Sequence, residues 1–201
     1  MPDTPPSLLI RLRDAGDQRS WQQFFDQYWR LIYHFARACG LKPDDAQDVL
    51  QEVVTDVFKA MPSFEYDRSK GTFRGYLRTV TQRKVMSLLE RRKARPTISL
   101  HQGDDGNGHQ QLHDPAGPDA EEMWEINWRR NLMQVSLARV AKEVEPKTFQ
   151  AFQLTALEGW TPTSAAEFLK LSVSSVYVAK YRIIERLRYW IEKETNEDNQ
   201  P

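Results

Sequence analysis

The side chains with most chemical potential lie in three clusters. From Arg68 to Arg95 there are ten Lys or Arg (Arg68, Lys70, Arg74, Arg78, Arg83, Lys84, Arg91, Arg92, Lys93 and Arg95) against the single acid Glu90. Pro96 to Glu125 then holds seven acids and no base. The whole chain balances 28 basic against 28 acidic residues, so neutrality conceals a strong segregation of charge. A basic stretch of this kind suits an anionic partner such as nucleic acid. A third cluster, His101, His109, His113 and Asp114, holds metal-ligating side chain types. It sits among Gly, Asp and Gln, and no metal site is expected there. Gly-rich phosphate loops, nucleophile elbows and paired cysteines are missing from the sequence, so no enzyme and no cofactor are expected.

The elements that would position these residues are helical. Ser7 can cap a short helix that stops at Gly16, and Asp17 can cap the next. There Trp21, Phe24, Phe25, Tyr28, Leu31, Ile32 and Phe35 recur at three- and four-residue spacing, which predicts one buried face. Gly40 ends that helix and Pro43 opens another. The second predicts burial of Ala46, Val49, Leu50, Val53, Val57, Phe58 and Met61, leaving Asp48, Gln51, Glu52, Thr55 and Asp56 opposite. After the turn-rich PSFEYDRSKG, a third helix is expected from about Phe73 to Arg92, with Phe73, Leu77, Val80, Val85 and Leu88 inward.

Residues 96–119 read as a flexible acidic linker, and helical patterning resumes near Ala120. Within GWTPTSAAEFLKLSVSSVYVAKYRIIERLRYWI, Thr161 caps a short helix with Pro162 first and Ala165, Ala166, Phe168 and Leu169 available for burial. Lys170 and Leu171 form a tight connection, and Ser172 caps a longer helix. Val176, Ala179, Ile183, Ile184 and Leu187 make the apolar face of that helix. Ser174, Ser175, Tyr177, Val178, Tyr181 and Arg182 are left near its outward N-terminal side, as a major-groove recognition helix requires. A helical hairpin of any bundle fits the same pattern. The expected fold is all-α: two small helical domains, 7–95 and 120–194, joined by the linker 96–119. The single Cys39 and the lack of a signal peptide or spanning segment predict a cytoplasmic chain with no membrane partner.

Three segments in order, DAQDVLQEVVTDVFKAMPSF (Asp45 to Phe64), FRGYLRTVTQRKVMSLLERRKAR, and EGWTPTSAAEFLKLSVSSV, resemble the extracytoplasmic-function group of bacterial sigma factors. The resemblance runs from about Ser7 to Glu194. It implies that the first block, a region-2-like domain, binds the beta-prime clamp helices of core RNA polymerase through Asp48, Gln51, Glu52 and Asp56. It further implies that Phe64, the loop 65–72, Arg74, Arg78, Arg83 and Lys84 melt and hold the promoter −10 element. The second block, region-4-like, is implied to read −35 duplex through Ser174, Ser175, Tyr177, Val178, Tyr181 and Arg182. Partners so implied are core RNA polymerase and promoter DNA, with an anti-sigma factor as one of the family's ways of control beside phosphorylation and extensions. The chain departs from the family at Lys170, where Gly is usual, and at Lys180, where an apolar residue is usual. A stand-alone helix-turn-helix regulator is the alternative, though it leaves the Asp48–Glu52 face without a purpose.

Overall fold

The computed structural model describes residues 6–65, 67, 71–94 and 113–196. Most of the expected linker, with His101 and His109, lies outside the described residues, as do Tyr66, Arg68, Ser69, Lys70 and Arg95. All regular structure among the described residues is helical, as the sequence predicts. By its contacts the chain divides into two compact units, residues 3–131 and the part from Leu132 onward.

In the first unit α1 (Pro6–Leu12) and α2 (Gln18–Ala38) are followed by α3 (Pro43–Ala60) and α4 (Phe73–Ala94). The Asp17 carboxylate accepts from Ser20 N at 3.0 Å and from Ser20 Oγ at 2.6 Å, which satisfies an orphan donor at the start of α2. Helix α2 buries Phe24, Tyr28, Leu31, Ile32 and Phe35 completely. Gly40, at φ 89, ends the helix in a conformation that glycine adopts without steric cost. Pro43 begins α3, with Asp44 and Asp45 in the first turn where carboxylates favour the helix dipole.

Helix α4 presents Phe73, Leu77, Thr81 and Val85 as a fully buried stripe at four-residue spacing. The Thr81 hydroxyl donates to Leu77 O at 2.8 Å, so it enters the core without an unmet donor. Val80 and Leu88, expected inward, are half-buried on the flanks of this stripe. Phe58 departs further from expectation and stays 40 % exposed. It lies on the edge of the α3 face, with the Trp21 ring 4.8 Å away. The N-terminal half of α5 (Ala120–Glu143) belongs to this unit, with Trp124 buried against Phe35 at 5.2 Å.

The second unit holds the rest of α5, then α6 (Pro146–Phe152), a π-turn (Gln153–Leu157), α7 (Pro162–Leu169) and α8 (Val173–Asn196). Ala151, Leu154, Ala165, Ala166, Leu169, Val176 and Ala179 form its first core cluster. Val140, Phe152, Ile183 and Leu187 form the second. Phe168, expected to be available for burial, is instead 67 % exposed with its ring 5.6 Å from Trp160. Helix α7 is two turns long, and Ala165, Ala166 and Leu169 already define its inner side. Among the described residues no helix is long and apolar enough to cross a membrane.

Candidate nucleic-acid interface

The α7–α8 pair is built by its capping residues. Thr161 Oγ1 accepts from Ser164 N at 3.1 Å, and Pro162 occupies the first helical position. Lys170 adopts the left-handed conformation, φ 55 and ψ 50, so the turn has the geometry of a glycine cap without a glycine. Ser172 Oγ accepts from Ser175 N at 3.0 Å and sits 2.8 and 2.7 Å from the hydroxyls of Ser174 and Ser175. With Val176, Ala179, Ile183 and Leu187 buried, α8 turns Ser174, Ser175, Tyr177, Val178, Tyr181 and Arg182 outward together. Tyr177 and Tyr181 are 59 % and 66 % exposed. Arg182 makes no hydrogen bond or ion pair among the described residues. Lys180 is half-buried beside the core face, which keeps its expected register despite the charge.

In the first unit the sequence-predicted residues separate into engaged and free. Asp48 and Gln51 are exposed on α3 and make no hydrogen bond or ion pair among the described residues. Glu52 and Asp56 face α4 instead: Lys84 Nζ lies 3.4 Å from Glu52 and 2.7 Å from Asp56, and Arg91 lies 3.1 Å from Glu52. These contacts, led by the Asp56 hydrogen bond, hold the Lys84 ammonium above its ordinary pKa, against a smaller opposing effect of burial. Together these side chains line an open groove of about 510 Å³ with Thr55, which the sequence placed on the same face, and Lys59, which it did not assign.

At the other end of α4 a second cavity, about 410 Å³, opens between Phe64, Phe73, Tyr76 and the rim residues Glu65, Asp67 and Arg83. The Phe64 ring lies 5.9 Å from Phe73 and 5.3 Å from Tyr76. It is half-buried, so it both closes the core and walls the cavity. Burial first, and then the Asp56 charge, push the Tyr76 phenol pKa up. Tyr76 went unassigned in the sequence; its place one turn after Phe73, at the head of the basic helix, was the available signal. Arg83 has no hydrogen bond or ion pair among the described residues.

Arg74 and Arg78 are placed differently. Arg74 pairs with Glu125 and lies over the Trp128 ring, 4.1 Å from its centroid, while Arg78 pairs with Glu121. Both acids lie on the N-terminal half of α5, so these two cations are covered by the chain's own carboxylates. Cys39 is buried, and that burial, helped by the Asp114 charge, pushes its thiol to about 12, so it is no nucleophile at neutral pH. Among the described residues no group of three His, Cys, Asp or Glu could hold a metal ion.

The Sigma-70 region 2 family model matches residues 24–95, the stretch that supplies most of α2, all of α3 and all of α4. The RNA polymerase sigma factor CnrH of Cupriavidus metallidurans is 25 % identical over 183 residues, covering 87 % of this chain and 88 % of the relative. The ECF RNA polymerase sigma factor SigE of Mycolicibacterium smegmatis is 22 % identical over 208 residues, covering 99 % of this chain and 73 % of the relative. A solved structure of CnrH in complex with the cytosolic domain of CnrY covers 92 % of this chain and 96 % of that one, at 19 % identity and a TM-score of 0.36. Over residues 24–95 the chain is thus similar to sigma-70 region 2, and over most of its length it is similar to two RNA polymerase sigma factors.

Proposed function

We propose that this chain is a promoter-specificity subunit that binds core RNA polymerase and directs transcription initiation. The observation that carries the reading is the region 2 match over residues 24–95, which falls on a helical unit with a free polar face and an aromatic cavity. Residues 7–95 take the polymerase and −10 role, 96–119 the linker, and 120–194 the −35 role. Asp48 and Gln51 are the leading polymerase contacts, because they are the members of the α3 set without a partner among the described residues. Glu52 and Asp56 belong to the same face, and they also tie α3 to α4. Core polymerase supplies the catalytic centre, and this subunit contributes binding.

For the −10 element, an unstacked base entering the cavity would meet the Phe64 and Tyr76 rings, with the Arg83 guanidinium at the rim for a phosphate. Arg74, Arg78 and Lys84 stand behind as cations that become available when their carboxylate partners are displaced. For the −35 element, the outward residues of α8 enter the major groove, with Arg182 as the principal polar contact. By the family resemblance an anti-sigma factor is proposed as a third partner.

Run-off transcription with core polymerase tests the reading, and promoter-specific product that needs this chain is the expected result. Asp48→Ala with Gln51→Ala is expected to weaken core binding at least tenfold while leaving the thermal unfolding midpoint unchanged. Full affinity in that double variant would remove the assignment of the α3 face. Nanomolar footprints from the chain alone would favour the stand-alone regulator.

A further inference from the structure

We propose that the outer side of α2, with the adjoining part of α5, is a second anion-binding surface that takes the phosphate backbone of nucleic acid. Arg30, His34 and Arg37 follow at four- and three-residue spacing and so climb one side of α2 over about 10 Å. Arg130 joins them from α5, which is fastened beside α2 by Asn131 Nδ2 donating to Gln27 O at 3.0 Å. None of these residues lines the α3 groove or the aromatic cavity.

The balance of charge on this surface differs from that on α4. Arg74, Arg78, Lys84, Arg91 and Arg92 on α4 each have a carboxylate partner. Arg30, Arg37 and Arg130 have none among the described residues. The Nε of Arg37 is enclosed without a hydrogen-bond acceptor. Arg30 lies over the Trp29 ring, 4.5 Å from its centroid, a contact that leaves the in-plane N–H groups of the guanidinium free to donate. His34 reports the local field. Burial, and then the charges of Arg30, Arg130 and Arg37, hold its imidazole below the ordinary histidine pKa, with no offsetting carboxylate among the described residues.

Like charges gathered without counter-charge repel one another, and a bound polyanion relieves that repulsion. Guanidinium forks suit phosphate oxygens, and a line of cations suits successive phosphates along a strand. Such contacts position nucleic acid without reading its sequence. The choice of nucleic acid over an acidic protein rests on the function proposed above.

The test uses the full chain at low salt with an arbitrary duplex of about 20 base pairs. The His34 ring protons, identified by their loss in His34→Gln, are followed by NMR across pH. DNA is expected to raise the His34 pKa toward or above the ordinary histidine value. In Arg30→Ala with Arg130→Ala, the His34 pKa is expected to start higher and to stop responding to DNA. The slope of log affinity against log salt should fall by about 2 in that variant. An unchanged His34 titration at saturating DNA overturns the inference. So does a response to poly-glutamate without one to DNA, which would give the surface to an acidic protein. A chain that supports core-dependent run-off transcription while its His34 ignores DNA sinks this inference alone and leaves the proposed function standing.

Discussion

Lys170 shows how one side chain can carry a strained backbone for the sake of a turn. The connection between α7 and α8 needs a left-handed residue, and this chain meets it with lysine at φ 55. The left-handed conformation costs a non-glycine residue about 1–2 kcal/mol, partly offset by the extra freedom that glycine would have when unfolded. Lys170→Gly is therefore expected to stabilise the second unit by about 1 kcal/mol, read as a higher urea midpoint. A lower midpoint would show that the lysine side chain contributes more than the backbone strain removes. This position was legible in the sequence, because the caps Thr161 and Ser172 fix the length of the turn, and the departure from glycine marks where the strain must fall.

At the scale of elements, the inner faces of α2, α3 and α8 were legible, since each repeats its apolar residues over several turns, with Asp17 and Ser172 capping α2 and α8 and Pro43 opening α3. Phe25 on α2, Phe58 on α3 and Phe168 on α7 were misplaced because they sit at the edges of their helices' stripes, where spacing does not decide between core and surface. The engagement of α5 with α4 was not legible at all. Arg74–Glu125 and Arg78–Glu121 join residues 51 and 43 positions apart, and no local period encodes such contacts. Likewise the division of the α3 acids into free Asp48 and paired Glu52 depends on where Lys84 and Arg91 arrive. The consequence for α5 can be measured. Exposed ion pairs each contribute about 0.2–1 kcal/mol, so Glu121→Gln with Glu125→Gln weakens the cover over α4 without unfolding the unit. The double variant is expected to bind single-stranded DNA a few-fold more tightly than the parent chain in a fluorescence anisotropy titration. Unchanged affinity together with a lower melting temperature would mean that Arg74 and Arg78 serve only to seat α5.

For the whole molecule, a net charge of zero conceals two different electrostatic situations. The described cations of α4 are largely neutralised by α3 and α5, whereas Arg182 on α8 has no carboxylate partner among the described residues. The chain alone should therefore hold DNA weakly. In the proposed function, binding through two units at once, on a surface organised by core polymerase, would multiply two modest affinities through effective concentration. Arg182→Ala probes the second unit within that assembly. If Arg182 reads a base, the holoenzyme is expected to lose about 1–3 kcal/mol of promoter affinity, and the loss should shrink when the contacted −35 base pair is changed. If it touches a phosphate, the loss is uniform across sequences and the salt slope falls by about 1. Promoter binding measured over a range of salt, on matched and altered −35 duplexes, separates these results. Binding unchanged in affinity and in salt slope would show that α8 meets DNA through a different side.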